Sequence, residues 1–193
     1  MYGGGVIRYT IEGNKTTDFD TYANWNNNFK FGATNVLDKY NWSYEVIEPL
    51  IFTDEIKIIM LENIKYNVTD LADDHLETTF YYFFTPYSIC YWDRMKSAGR
   101  IDWQIDAQMV AIEEILKHSN IKLYAFNNNF ELVCNLDNYI DTTHYGEWVN
   151  SWMLEKMYNE EYLLTADNYR EYIDAIREFY NSYDYEALHK LEN

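Results

Sequence analysis

The chain has 193 residues, of which 48% are hydrophobic and 19% aromatic, and its formal net charge at pH 7 is −17. This length fits one domain, and so high an apolar content excludes a disordered chain despite the acidity. The negative charge excludes direct binding to a nucleic-acid backbone, which requires clustered Lys and Arg. Scattered acidic residues are typical of a solvated surface, and an acidic decoy that mimics nucleic acid is the alternative.

Targeting signals and metal motifs are not found in the sequence. Neither a secretory signal nor an apolar run long enough to span a membrane is present, which predicts a cytoplasmic chain as written. The two cysteines, Cys90 and Cys134, lie in apolar runs and are predicted to be buried free thiols. The histidines lack zinc spacing, so we predict no metal and no cofactor.

In chain order, the pattern predicts an irregular N-terminal segment followed by alternating helices and strands. The irregular segment covers 1–28, with a short strand at 6–10 inside it. Helices are predicted at 29–40, 53–72, 101–118, 146–158 and 166–182, and strands at 78–85 and 121–126. Thr53 and Thr165 are the predicted N-caps of two of these helices. Both strands are continuous apolar runs, which are typical of strands buried on both faces of a parallel sheet.

This alternation predicts a single α/β domain over residues 1–193, with C-terminal helices in 146–193. In such sheets, ligands bind beyond the carboxyl ends of the strands. The segments 85–88 and 127–144 follow predicted strand ends, so we expect any ligand site to lie there.

One of these segments contains groups of catalytic type. Asp141 precedes His144 by three residues in a polar stretch between a strand and a helix. A carboxylate at this spacing can bond the near nitrogen of the imidazole and fix its tautomer, while the ring takes a proton from a serine hydroxyl. The alternative is structural: Asp141 or Thr143 caps the helix that begins near Gly146, and His144 lies on the surface.

Several stretches carry a resemblance to a known family. They read FFTPYSICYW at 83–92, LYAF at 123–126, NLDNYIDTTHY at 135–145, NSWML at 150–154 and LLTADNY at 163–169. Together they resemble the C-terminal half of bacterial SGNH/GDSL-type hydrolase-like proteins, in particular the branch associated with cell-surface polysaccharide modification. The resemblance covers roughly residues 18–185 and is most specific between 78 and 170.

The resemblance implies a three-layer flavodoxin-like sheet of mostly parallel strands and a serine hydrolase that acts on acylated carbohydrate. In that family a GDS-like N-terminal block carries the serine nucleophile, two middle blocks supply Gly and Asn to the oxyanion hole, and an Asp-x-x-His block lies near the C-terminus. Only the last block transfers residue by residue, to Asp141 and His144. Family members often work outside the cytoplasm, so the location of this chain stays open.

The sequence departs from the family at the nucleophile. The Gly3–Gly5 cluster contains no serine, and Ser88, beside a strand end, matches a different part of the family. The run Asn127–Asn129 is interpreted as a polar turn rather than an oxyanion block. We therefore expect a sheet truncated at its N-terminus and an esterase or acyl-transfer activity that is lost or vestigial, since nucleophile and oxyanion donors supply most of the rate.

A non-catalytic function is the main alternative. A remnant of this kind could bind carbohydrate or a partner protein through an aromatic surface formed by Tyr81, Tyr82, Phe83, Phe84, Tyr87, Tyr91 and Trp92. Such aromatic runs are more often part of a core. A domain that lacks an edge segment exposes strand edges, which favours homo-oligomers.

Overall fold

The computed structural model describes residues 29–38, 40 and 47–190. The predicted strand at 6–10 and the irregular segment 1–28 lie outside these residues. The strands are β1 (Phe80–Phe84) and β2 (Ile121–Ala125). The helices are α1 (Ala33–Asp38), α2 (Asp54–Ile64), α3 (Asp70–Asp74), α4 (Ile89–Ser97), α5 (Ile101–Ile115), α6 (Phe130–Cys134), α7 (Glu147–Tyr158), α8 (Tyr169–Ser182) and α9 (Tyr185–His189). A π-helical stretch, Lys65–Thr69, joins α2 to α3, and a 3-10 turn, Leu136–Asn138, follows α6.

The two strands form a parallel pair, with Phe80 opposite Ile121 and Phe84 opposite Ala125. Helices α4 and α5 make the connection that a parallel pair requires. Beyond β2, the backbone of Tyr162 accepts from the Ala125 N–H at 3.1 Å, so the segment after α7 covers that edge of the strand. The described chain is therefore a mixed helix-and-strand fold around a small parallel sheet.

The prediction that both strands are buried on both faces is right for β2 and wrong for β1. In β2, Leu123, Tyr124 and Ala125 are all buried. In β1 burial alternates, and Tyr81 and Phe83 are 51% and 44% exposed. An unbroken aromatic run satisfies β-propensity on either face, so it cannot distinguish a half-exposed strand from a central one.

The core is built mainly from the helices that flank the sheet. Helix α5 buries Ile105 and Ile112, and α8 packs against it with Ile176. At the solvent side of this contact, the Arg177 guanidinium donates to the carboxylates of Asp102 and Asp106, each at 2.7 Å. The period of 3.6 residues in both helices predicts these buried faces from sequence.

The two predicted helix caps have different outcomes. Thr53 caps α2 as predicted, and its hydroxyl accepts from the Ile56 N–H at 3.4 Å. Thr165 is not a cap, because α8 begins later, at Tyr169, after Asn168. The Asn168 side chain accepts from the Thr165 N–H at 2.8 Å and donates to the Leu163 carbonyl at 2.9 Å. The Asn168 side chain therefore stabilises a turn over residues 163–168, and α8 begins only after it.

Helix α4 is an element that the sequence pattern did not predict. It ends at a turn where Gly99 has a φ of +63°, and a Cβ there would lie 2.7 Å from the carbonyl oxygens of Ile47 and Glu48. The Gly99 carbonyl in turn accepts from the Leu50 N–H at 2.8 Å. The turn therefore needs glycine both for its backbone conformation and for the close approach of segment 47–50.

Both cysteines are unbridged: Cys90 is fully buried and Cys134 partly buried. Burial raises the pKa of the Cys90 thiol to about 12. Among the described helices, none is both long enough and apolar enough to cross a membrane.

Candidate functional site

The predicted catalytic segment forms a tight antiparallel turn between α6 and α7. Tyr139 and Tyr145 pair across it, and the Ile140 N–H donates to the His144 carbonyl at 3.0 Å. Tyr139 is fully buried, and its hydroxyl donates to the Pro86 carbonyl at 2.7 Å. The turn is thereby fixed against the segment that follows β1.

Asp141 and His144 are brought together at the tip of this turn. Oδ1 of Asp141 accepts the backbone N–H groups of Thr143 and His144, each at 2.8 Å, while Oδ2 lies 2.7 Å from Nδ1 of the His144 ring. The carboxylate therefore shapes the turn and orients the imidazole at once. A proton held on Nδ1 by this contact makes Nε2 the basic nitrogen of the neutral ring.

The electrostatics of the turn keep Asp141 ionised. Burial raises its pKa, but the backbone N–H groups of His144 and Thr143 and the His144 ring outweigh that effect and hold the pKa below its usual range. An ionised Asp141 can stabilise the positive charge that the imidazole gains when it accepts a proton.

Neither Asp141 nor Thr143 caps helix α7, so the structural alternative is wrong on this point. Helix α7 begins at Glu147 with Gly146 as its N-cap, and no side chain bonds the cap position. The side chains of Asp141 and Thr143 bond each other at 3.2 Å, within the turn. The expectation that His144 lies on the surface is right, because 57% of its side chain is exposed.

An open groove of about 350 Å³ lies beside the pair, and we call it the dyad groove. Its lining consists of Thr85, Tyr87, Thr143, His144, Tyr145 and Asn150. Thr85 and Tyr87 follow the carboxyl end of β1, where the sequence placed the ligand site. Burial raises the pKa of the Tyr145 phenol, which is therefore neutral and lies 3.0 Å from the Thr85 hydroxyl.

Ser88 is close to this turn but has a structural role. It is fully buried, and its hydroxyl donates to the Thr142 carbonyl at 2.8 Å. Its backbone N–H donates to the same carbonyl at 3.3 Å. Ser88 therefore anchors the turn that carries Asp141, and its proton is already used. Ser43 and the Gly3–Gly5 cluster lie outside the described residues.

The run Asn127–Asn129 is more than the polar turn that the sequence suggested. Asn127 is 1% exposed, and its Oδ1 lies 2.6 Å from the Tyr172 hydroxyl while its Nδ2 donates to Gln108 at 3.1 Å. Asn129 caps α6 by accepting from the Leu132 N–H at 3.0 Å. These side chains support the core and α6 and take no part in the dyad groove.

The predicted aromatic surface is divided between core and solvent. Trp92 is 1% exposed and stacks on Tyr180, with ring centroids 3.7 Å apart. Only Tyr81 and Phe83 of that predicted set are exposed large side chains. Trp148 and Trp152, which the sequence pattern did not single out, line a second groove. Their spacing of four residues in a predicted helix was the signal that could have found them.

Fold and site together define a mixed α/β chain that carries an oriented carboxylate–imidazole pair. No protein-family model, no curated protein and no solved structure matches this chain. The resemblance to SGNH/GDSL-type proteins therefore rests on the residues quoted above and stays a prediction. Across the part of the chain that the structure describes, no group of three or more His, Cys, Asp or Glu side chains could hold a metal ion.

Proposed function

We propose that Asp141 and His144 are the acid–base pair of an SGNH-type esterase or acyl-transfer domain that acts on acylated carbohydrate. The observation that carries this proposal is the 2.7 Å contact between Asp141 Oδ2 and His144 Nδ1 at the rim of the dyad groove. We further propose that the parallel pair β1–β2 belongs to a three-layer flavodoxin-like arrangement. The position of the groove beyond the carboxyl end of β1 supports this.

The chemistry follows from the geometry of the pair. Nε2 of His144 would accept the proton of a hydroxyl nucleophile as its oxygen bonds the acyl carbon, and would return that proton to the departing sugar oxygen when the ester bond breaks. Asp141, ionised and bonded to Nδ1, would stabilise the imidazolium between the two steps.

The groove offers donors for the carbonyl oxygen of an ester. The neutral Tyr145 phenol and the Thr85 hydroxyl form one bonded pair, and the Asn150 amide lies on the same lining. Donors directed at a developing oxyanion are usually the largest contribution to acyl-transfer catalysis. We propose that these three side chains hold the acyl group against His144.

The proposed site needs a hydroxyl nucleophile, and Ser88 does not supply it. Ser88 lies beside a strand end, but its proton is held by the Thr142 carbonyl. We therefore propose that the described residues supply the base and the acyl groove, and that ester turnover by this chain alone is lost or vestigial.

Binding of the acyl group can be tested by NMR with labelled histidine rings. Acetylated xylobiose is titrated into the protein, and deacetylated xylobiose serves as the matched control ligand. We expect the His144 ring signals to shift with the acetylated sugar alone, because the dyad groove recognises the acyl group. His75, whose side chain is 52% exposed, is the internal control and should not move. Equal shifts with both sugars, or none at His144, would contradict the proposal.

Turnover is tested separately with p-nitrophenyl acetate. We expect the wild-type chain, His144→Ala and His75→Ala to hydrolyse it at the same background rate. A rate that His144→Ala abolishes and His75→Ala preserves would show an intact hydrolase. That result would contradict the proposal that turnover is lost or vestigial, and it would support Asp141 and His144 as the acid–base pair.

A further inference from the structure

A second groove of about 280 Å³ lies between α6 and the first half of α7, and we call it the tryptophan groove. Its lining consists of Asn129, Glu131, Leu132, Asn135, Asn138, Trp148, Val149 and Trp152. It shares no lining residue with the dyad groove. The two grooves are therefore separate sites on this chain.

The indole of Trp148 is a rigid platform in this groove. Its Nε1–H donates to Asn138 Oδ1 at 3.1 Å, and its ring contacts Phe31 with centroids 4.6 Å apart. The ring also lies over Gly146, where an added Cβ would come within 2.4 Å of it. The side chain is nonetheless 39% exposed. An exposed ring held by its neighbours loses little entropy when a ligand stacks on it.

Trp152 lies one helical turn further along α7, on the same face as Trp148. Phe126 and Tyr162 each meet its ring edge to face, with centroids 5.5 Å away. Two indoles four residues apart, with Val149 between them, give the groove an apolar side of fixed shape.

The side of the tryptophan groove opposite the indoles is lined by polar side chains, and groups on both sides have unused hydrogen-bonding capacity. Asn135 accepts the Asp137 N–H at 3.1 Å through Oδ1, which leaves its NH₂ group available. Across the described part of the chain, neither the Glu131 carboxylate nor the Trp152 Nε1–H has a hydrogen-bond partner. The groove thus presents two kinds of donor and one acceptor beside an aromatic face.

We propose that the tryptophan groove binds an uncharged pyranose ring. A pyranose has an apolar face of C–H groups that stacks on an indole, and a rim of hydroxyls that both donate and accept hydrogen bonds. The groove matches both properties. Glu131 in the lining and the net charge of −17 disfavour uronic acids, phosphates and other anionic ligands. This inference is independent of the proposed acyl chemistry, since it uses none of its residues.

The test is an NMR titration that follows the indole Nε1–H signals of Trp148 and Trp152. The probes are methyl β-glucopyranoside and cellobiose, with glucuronate as the anionic control and a proline-rich peptide as a different class of ligand. We expect saturable shifts of both signals with the two neutral sugars at millimolar concentration and none with glucuronate. No shift with either sugar, or tighter binding of the peptide, would overturn the proposal.

Two variants make this test specific. Gly146→Ala keeps an ordinary backbone conformation, with φ at −69°, but its methyl group displaces the Trp148 ring. We expect Gly146→Ala and Trp152→Ala each to weaken cellobiose binding by about tenfold, because each removes one stacking surface. Tyr158→Ala, which alters an 87% exposed ring on the same helix, is the matched control and should bind normally. Circular dichroism on each variant separates loss of binding from loss of fold.

The outcome for this groove and the outcome for the dyad groove can be told apart. Sugar binding is detected at the indole signals and acyl recognition at the His144 ring. Unmodified cellobiose that shifts the indoles but not His144 would support the tryptophan groove whatever the fate of the acyl proposal. If Gly146→Ala and Trp152→Ala bind cellobiose as well as wild type, the tryptophan groove is not the sugar site.

Discussion

Nε2 of His189 lies 2.9 Å from Oδ2 of Asp93, and this contact ties α9 to α4 across 96 residues of sequence. Asp93 is 3% exposed, and the same oxygen also accepts from the Tyr40 hydroxyl at 3.1 Å. A carboxylate taken so far out of water is stable only with donors around it. The C-terminal helix is therefore fastened to the core by a buried polar contact as well as by apolar packing.

We expect His189→Ala to lower the free energy of unfolding by about 2–3 kcal/mol, because it leaves a buried carboxylate with fewer donors. Urea denaturation measures this effect. His75→Ala is the matched control, since the His75 side chain is 52% exposed and its contact with Glu77 is 3.5 Å long. Combining Asp93→Asn with His189→Ala should cost less than the sum of the single changes. Additive effects would contradict an energetic link between the two residues.

Tyr172 is a second polar group on which the core depends. Its hydroxyl lies 2.6 Å from Asn127 Oδ1 and 2.7 Å from Gln108 Oε1, and all three residues are buried. Tyr172→Phe removes the hydroxyl and leaves Asn127 Oδ1 without a donor, while Gln108 Oε1 keeps the one from Asn127 Nδ2. We therefore expect a loss of about 1–3 kcal/mol in thermal or urea unfolding. Tyr158→Phe, at an 87% exposed ring, should change stability by less than about 0.5 kcal/mol. Equal effects of the two variants would rule out the buried network.

The turn at Asp141 should be sensitive to acid. Because the folded-state pKa of Asp141 is lowered, its contribution to stability is present above its ordinary pKa of about 3.9 and is lost as the pH falls through the lower folded-state value. We expect the Thr143 and His144 amide signals to titrate with a midpoint below about 3.9.

Two variants check the origin of that titration. Asp141→Asn keeps an oxygen for both backbone N–H groups and should abolish the titration. His144→Ala should move the midpoint upward only in part, since the backbone donors stay in place. A wild-type midpoint at or above about 3.9 would show that burial, not hydrogen bonding, determines the pKa of Asp141.

The two cysteines should react slowly and in a defined order. Burial raises the pKa of Cys90 to about 12, so its thiol stays protonated at pH 8, and the side chain is fully buried. Burial also raises the pKa of Cys134, which is only partly buried. We expect a disulfide reagent to label Cys134 before Cys90 in the native protein, and both rapidly in denaturant. In Cys134→Ala only Cys90 can react, so this variant shows which labelling phase belongs to Cys90. Rapid labelling of Cys90 in the native protein would contradict the structure.

Gly99 should tolerate no side chain. Its φ is +63°, and a Cβ added to it would lie 2.7 Å from two carbonyl oxygens, so we expect Gly99→Ala to cost about 1–3 kcal/mol of stability. Gly146→Ala is the comparison: its φ of −69° carries no backbone strain and its added Cβ meets the Trp148 ring rather than backbone, so we expect it to lose less stability than Gly99→Ala. Thermal unfolding followed by circular dichroism compares the two, and equal midpoints would contradict the prediction.

Much of the fold could be predicted because its signals are local. The period of 3.6 residues in α5 reports which face is buried, and Thr53 with two acids after it reports where α2 begins. The pattern failed at Thr165 because the Asn168 side chain, three residues further on, accepts from the Thr165 N–H and holds a turn there. It failed at β1 because the exposure of a strand depends on what packs against it, which local sequence does not report.

The same division applies to the site. The three-residue spacing of Asp141 and His144 determined by itself that a carboxylate could reach the near nitrogen of the ring, because both lie in one short turn. Only the tertiary structure decided that the proton of Ser88 goes to the Thr142 carbonyl, that Thr85 and Tyr87 share a groove with His144, and that two tryptophans face a polar wall. Those relationships join segments that are far apart in the chain, and only packing brings such segments together.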